Sequence, residues 1–379
     1  MDNILITGGA GFIGSNLALA LLLRGYKIRV VDNLSRQIHG KNPETSTLCR
    51  SIYGKVDFIR DDVRNQAIWE RALDNIDVVV HFAAETGTGQ SMYDIQKYID
   101  VNASGTAVLL DYIANRKHTV KKIIVASSRA IYGEGKYFCK NHGVVYPFAR
   151  NQRDMDANDF EVKCPLCNTV VFMLPTDELS KINPVSVYGI TKQMQEQLIL
   201  TCCNSLKIPA LALRFQNVYG PGQSLKNPYT GILSIFSTIL LNHGSINIFE
   251  DGMESRDFIY IDDVVNATVA GIETNINEWL SINVGTGIPT SVLSVAKSLK
   301  KLYNSNGEIN ISGHYRIGDI RHNTADITLL KEKLKYRPNV LFEEGIERFS
   351  TWVKEQRFDN STGLYEDSIR QMEEKGLYK

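Results

Sequence analysis

The chain has 379 residues, 43% hydrophobic and 22% charged, a globular composition that excludes disorder, collagen-like repeats and low-complexity tracts. Lys plus Arg and Asp plus Glu each total 42, so the formal net charge is zero. That balance argues against the broad basic field of a nucleic-acid or membrane-surface protein.

The length fits two domains or one large α/β domain with additions. The longest early apolar run, Leu17 to Leu23, is too short to span a bilayer, and acidic Asp2 rather than a basic segment precedes it. Six cysteines (Cys49, Cys139, Cys164, Cys167, Cys202, Cys203) in a chain this long do not read as a secreted disulfide framework. The expectation is a cytoplasmic protein with neither membrane nor nucleic acid as partner.

Ile4-Leu5-Ile6 is a short apolar strand, followed directly by Thr7-Gly8-Gly9-Ala10-Gly11-Phe12-Ile13-Gly14. Ser15 to Leu23 reads as a helix ending at Gly25, and the next strand, Lys27 to Val31, terminates in Asp32 and Asn33. Glycines alone also mark plain turns. With strand, helix and acid in order, they predict a dinucleotide cradle in which pyrophosphate meets the helix N-terminus. Asp32 would accept hydrogen bonds from both adenosine ribose hydroxyls and repel a 2′-phosphate, which favours NAD over NADP.

Strands then recur at Val56–Ile59, Val78–Phe82, Lys122–Ala126 and Ala210–Arg214, with helical stretches near 64–74, 95–116 and 188–206. The alternation predicts right-handed βαβ units in a Rossmann-type, doubly wound parallel α/β sheet. Asp62-Val63 at the end of the third strand could hold the adenine ring, and Phe82-Ala83-Ala84 after His81 could let a cofactor pass close to backbone. Either pair by itself reads better as an ordinary strand-end turn.

Tyr188 and Lys192 stand four apart on a helix expected to open at Asn183-Pro184, so they share a face. Ser128 ends a strand at the carboxyl edge of the sheet, where ligands bind in such folds. A nearby ammonium and a nicotinamide cation would lower the tyrosine below its usual ~10. Tyr188 could then serve as general base toward a sugar hydroxyl, with Ser128 bonded to the same oxygen. A lone Tyr-x-x-x-Lys is also a common surface pair.

Thr7–Gly14, Asp32, His81–Ala84, Ser127-Ser128, Tyr188-x-x-x-Lys192 and Arg214–Pro221 together resemble the extended short-chain dehydrogenase/reductases, and within them the NAD-dependent nucleotide-sugar epimerase/dehydratase family. The resemblance implies an NAD domain (1–135, completed by about 184–217 and 257–280) and a smaller C-terminal α/β domain for the nucleotide-sugar (218–256 and 281–355). It implies that Gly8, Gly11 and Gly14, with Phe12 and Ile13, cradle the NAD pyrophosphate. Asp32 would meet the adenosine ribose, Lys192 the nicotinamide ribose, and Asn102 would lie near the cofactor. Asn217, Arg256 and Arg316 would meet the sugar-nucleotide diphosphate, as suits guanidinium forks. A homodimer would form by helices near 95–116 and 188–206 packing into a four-helix bundle.

Dehydratases of this family carry an aspartate–glutamate pair right after the catalytic hydroxyl, whereas Arg129 and Ala130 follow Ser128 here. The departure removes the acid that would expel water and leaves reversible oxidation at C4, a 4-epimerase. Decarboxylation of a uronate and a non-catalytic NAD-binding regulator or scaffold are the competing classes.

The separation of Ser128 from Tyr188 is far longer than the family's usual one, and the extra chain (136–183) holds Cys139, His142, Cys164 and Cys167. Two x2-spaced pairs joined by a loop are the pattern of a tetrahedral structural zinc site, against free thiols or a Cys164–Cys167 redox pair. Residues 136–183 carry six Lys/Arg and six Asp/Glu, so a neutral finger is a poor phosphate binder. Cys202 and Cys203 read as packing. With segments 217–224 and 315–322, the insertion most resembles a bacterial branch that interconverts dTDP-L-rhamnose and dTDP-6-deoxy-L-talose for cell-surface polysaccharide, UDP-glucose and UDP-N-acetylglucosamine being the alternative substrates. The tail (356–379), charged from Phe358 to Leu377, reads as an amphipathic helix ending near Gly376.

Overall fold

The computed structural model describes residues 1–225, 227, 229, 231–356 and 362–379, the side chains of Thr362 and Leu364 apart. Seven parallel strands form the central sheet: β1 (Asn3–Thr7), β2 (Lys27–Asp32), β3 (Asp57–Arg60), β4 (Val78–His81), β5 (Lys122–Ser128), β6 (Ala210–Phe215) and β7 (Trp279–Val284). Their order, β7-β6-β5-β4-β1-β2-β3, reverses at β1 and β4, and a crevice opens at the carboxyl ends there. The strands read as near-continuous Val/Ile/Leu because both faces are covered.

Successive residues alternate faces. Ile4, Ile6, Val30, Val80 and Leu213 pack against Leu17 and Leu21 of the Phe12–Leu23 helix and Val264 and Ala267 of Ile261–Glu273. Leu5, Val31, Val79, Ile123 and Ala212 meet Trp69, Leu109, Ile113, Ile199 and Cys203 on the other side. Cys203 is thus a packing residue, as its place in the sequence suggests; Cys202 lies at the edge of the same cluster.

Three details depart from the sequence reading. The Tyr188 helix runs Val187–Leu206, and Ser186, whose hydroxyl accepts from the Gly189 amide, caps it in place of Asn183-Pro184. The 64–74 stretch is only a tight turn (Gln66–Ile68) and a short helix (Trp69–Leu73). The 95–116 stretch holds a wide π-helical turn over Ile99–Ser104 between Ile95–Tyr98 and Gly105–Asn115.

Residues Asn217–Tyr219, Ser255–Tyr260 and Pro289–Ser291 form a small sheet beside the crevice, and β7 runs past the expected domain boundary at 280. The insertion is a separate three-stranded antiparallel unit of Gly143–Val145, Tyr137–Cys139 and Phe172–Met173. Thr362–Glu374 is helical, as read for the tail; residues 358–361 of that reading lie outside the described residues. Among the described residues no helix is long and apolar enough to cross a membrane.

Candidate active site

One cleft follows the carboxyl edge of the sheet and continues between the sheet and the smaller strands. It is lined at one end by Gly8, Gly11, Phe12, Ile13, Gly14, Asp32 and Asn33, with Asp62, Val63, Phe82, Ala83 and Ala84 beside them. Ser128, Tyr188 and Lys192 line its middle, and Asn217, Arg256 and Arg316 its far end. The structure brings all of these sequence-predicted residues to one surface.

Two glycines explain the cradle. Gly8 has φ 67°, and a Cβ there would stand 2.8 Å from the Ala83 nitrogen. A Cβ on Gly14 would stand 2.4 Å from the Gly8 oxygen, so only glycine lets turn, helix and strand approach this closely. Gly11 begins the Phe12–Leu23 helix with no side-chain cap, leaving first-turn amides for an anion. Asp32 accepts from the Ala10 amide (2.9 Å) and the Leu34 amide (2.8 Å). Burial pushes its carboxyl up, against the pull of the Leu34 amide, His39 and the Ala10 amide.

Two residues act through the loops they hold. Asn102 is fully buried behind the cleft wall and does not line it; its amide oxygen accepts from the Glu85 amide (2.7 Å) and its nitrogen donates to Glu85 O and Thr191 Oγ1. It therefore holds the 83–86 loop from behind, and the π-helical turn brings it there. The Asp62 carboxylate is already engaged by Arg64 and by Asn33 Nδ2, and the Arg64 hydrogen bonds hold it down to about 2. With its lone pairs taken, it fixes the loop rather than offering an acceptor.

At the centre, burial pushes the Tyr188 hydroxyl up, while the Ser128 hydroxyl and the Arg129 guanidinium pull it down. Burial lowers Lys192 to about 7, opposed by the Glu196 charge. Lys192 Nζ donates to Gln195 Oε1 at 2.7 Å, and Gln195 Nε2 donates to Thr106 Oγ1 at 3.0 Å. Thr106 donates to Asn102 O, so the fully buried His81 donates from Nε2 to Thr106 and accepts from Thr7 at Nδ1. Burial, with repulsion from Lys192, lowers His81 to about 3 and keeps it neutral. Glu196 is held by Arg214 (2.6 Å), Ser127 (2.5 Å) and Ser281 (2.8 Å). This rigid underside fixes the lysine's helix.

At the far end Arg256 donates to Ile320 O (2.7 Å) and Arg321 O (3.0 Å). Arg316 reaches Asp319 at 2.9 Å and stacks 5.2 Å from the Phe249 ring. Four buried polar atoms among the cleft residues lack partners among the described residues: Gln216 Oε1, Asn217 Oδ1, Gln223 Oε1 and Glu254 Oε2. Such orphans are costly unless a ligand satisfies them. Burial raises Glu254 to about 7.

Arg129, Glu254 and Tyr365 are cleft residues that the sequence did not single out as ligands. Arg129 was legible only as a departure after Ser128, and Tyr365 only as part of a charged tail. The metal tetrad Cys139, His142, Cys164 and Cys167 does converge, within the insertion and away from this cleft.

The NAD dependent epimerase/dehydratase family matches residues 4–151 and 170–285, passing over 152–169 inside the insertion. A dTDP-L-rhamnose 4-epimerase of Burkholderia thailandensis is 35% identical, over 93% of this chain and 95% of that one. The chain belongs to the NAD-dependent epimerase/dehydratase family. A solved UDP-glucuronic acid 4-epimerase from Bacillus cereus, holding NAD, superposes with a TM-score of 0.75 at 28% identity, covering 93% of this chain and 99% of that one. A UDP-glucose 4-epimerase of Thermotoga maritima gives 0.74 at 31%, covering 93% and 98%.

Among epimerase/dehydratase family members this chain is an NAD-dependent nucleotide-sugar 4-epimerase by class, an isomerase. The Gly8–Gly14 cradle, the uncapped helix and Asp32 fit NAD as cofactor.

Proposed function

We propose that the substrate pair is dTDP-L-rhamnose and dTDP-6-deoxy-L-talose, interconverted by inversion at C4. NAD, which Gly8, Gly11, Gly14, Asp32 and Lys192 would hold, would supply a reversible hydride acceptor for C4 of the sugar. The chain's own residues supply the rest. Tyr188 Oη takes the proton of the sugar 4-hydroxyl, and Ser128 Oγ donates a hydrogen bond to the same oxygen. Lys192 holds the cofactor ribose, while Arg129 lends positive charge to the tyrosine. Arg256, Arg316 and Asn217 hold the diphosphate while the oxidised sugar turns, and Tyr188 then gives its proton back.

The observation that carries this reading is the pair after Ser128. Where a dehydratase needs acids to expel water, this cleft presents Arg129, whose own charge stabilises the Tyr188 oxyanion. The rhamnose assignment is supported by the 35% identity to a dTDP-L-rhamnose 4-epimerase over nearly the full length. Purified protein incubated with dTDP-L-rhamnose, UDP-glucose, UDP-N-acetylglucosamine and UDP-glucuronate tests it. The expected result is conversion of the dTDP sugar with kcat/KM well above the UDP sugars; preferred turnover of a UDP sugar contradicts the substrate, and no turnover of any contradicts the enzyme reading.

A further inference from the structure

The insertion holds four donor atoms within 4.8 Å of one another: Sγ of Cys139, Cys164 and Cys167 and a ring nitrogen of His142. Tetrahedral zinc with Zn–S of about 2.3 Å and Zn–N of about 2.1 Å requires S···S edges of about 3.8 Å and S···N edges of about 3.6 Å. The observed edges are 3.7 Å for Cys139–Cys167, 3.6 Å for Cys139–His142 and 3.7 Å for Cys164–His142. A disulfide needs its sulfurs at about 2.05 Å, and all six cysteines are free. The Leu166 amide lies 3.5 Å from Cys164 Sγ and the Thr169 hydroxyl 3.1 Å from Cys167 Sγ, donors suited to thiolate ligands.

The insertion buries little apolar surface of its own. One buried cluster is Tyr137, Val145, Val162 and Val171 with two of the ligands themselves, Cys139 and Cys164; the other, Met155 and Phe160, packs on Tyr315 of the smaller lobe. A core that small needs a metal or an equivalent staple.

Between the two ligand pairs, the chain sends side chains into the smaller lobe. Arg150 grips Glu250 with both terminal nitrogens (2.7 and 2.8 Å) and donates to Asp319 O (3.0 Å). Glu161 accepts from Arg321 at 2.7 Å, and Asp156 accepts from Tyr315. The segment they hold, 315–321, carries Arg316, and its carbonyls at 320 and 321 hold Arg256.

We propose that Cys139, His142, Cys164 and Cys167 bind one zinc ion, and that this ion makes the insertion a strut for the Arg256/Arg316 end of the cleft. The metal assignment stands on the tetrad alone; the strut rests on those arginines meeting the diphosphate. Arg150 and Glu161 are then positioning residues, acting through the 315–321 segment.

Metal content of the full-length protein by mass spectrometry, thiol titration, and dTDP and NAD binding by calorimetry test both parts. The expected result is one zinc per chain, with three thiols protected until the metal is removed. Chelation should weaken dTDP binding about tenfold or more with NAD affinity kept, and zinc should restore it. Arg150→Met should weaken dTDP alike with zinc still bound. Cobalt in place of zinc should show the visible bands of a tetrahedral thiolate site, and Cys167→Ser, at a partly exposed ligand, should abolish them. A folded, zinc-free protein from zinc-rich medium, or a Cys164–Cys167 disulfide, overturns the site. Unchanged dTDP affinity after metal removal or in Arg150→Met overturns the strut. Neither depends on sugar turnover, so failure here is distinct from failure of the epimerase reading.

Discussion

Tyr188, Arg129 and Lys192 make three separate predictions at the residue scale. Tyr188→Phe removes the proton carrier while keeping the ring, so kcat should fall by about 10²–10⁴ with KM little changed. Burial raises the tyrosine in the free protein, so it is protonated at neutral pH and kcat/KM should climb with pH on its acid limb. Arg129→Met removes a charge that pulls Tyr188 down, so a pH–rate profile should show that limb moved to higher pH. An unmoved limb would mean Arg129 serves binding alone. Lys192 is lowered to about 7 in the fold and returns to about 10.4 unfolded. Between those values the unfolded chain binds the extra proton, so stability rises with pH in that window. Denaturant titrations without cofactor should show the wild type gaining on Lys192→Met from pH 7 to 9; a constant difference would contradict a desolvated lysine. Tyr188 and Lys192 were legible because they stand four apart on one helix face, and Ser128 because it ends a strand at the carboxyl edge of the sheet. Arg129 and the His81–Thr106–Gln195 chain were not, since side chains from four elements meet only in the fold.

At the scale of elements, the 315–321 segment is held from two sides. The insertion grips it through Arg150 and Glu161, and the tail pairs with it: Tyr315 N donates to Lys379 O (2.8 Å) and Ile317 N to Leu377 O (2.9 Å). Tyr365 from the tail helix lines the cleft, and Gln371 accepts from Tyr229 at 3.2 Å. Deleting 357–379 should therefore raise KM for the nucleotide-sugar several-fold while leaving NAD affinity unchanged, measured by steady-state kinetics and cofactor titration. A fall in kcat with KM unchanged would place the tail elsewhere in the cycle. The sequence announced a helical tail through its charge pattern; it could not say where that helix docks, because the contacts join residues far apart along the chain. The strands were legible for the opposite reason. Each is a short Val/Ile/Leu run bounded by turns, and burial on both faces needs nothing more specific. The break at Ile99–Ser104 was hidden because a π-helical turn keeps the apolar pattern of an ordinary helix.

On the scale of the whole molecule, Ile95, Ile190 and Met194 are exposed apolar residues on the two helical stretches read as a dimer face. We propose that a second copy covers them. Ile190→Glu with Met194→Glu should convert a dimer to a monomer in light scattering after gel filtration, with the fold intact by circular dichroism; a wild-type monomer would refute the pairing. The central account is inversion by hydride departure and return at C4 over Tyr188. It is tested most directly by a nucleotide-sugar substrate carrying deuterium at C4, turned over in ordinary water and read by NMR and mass spectrometry. The account predicts a product inverted at C4 with the deuterium still there. Loss of the label to water, or a product lighter by one water, would contradict it.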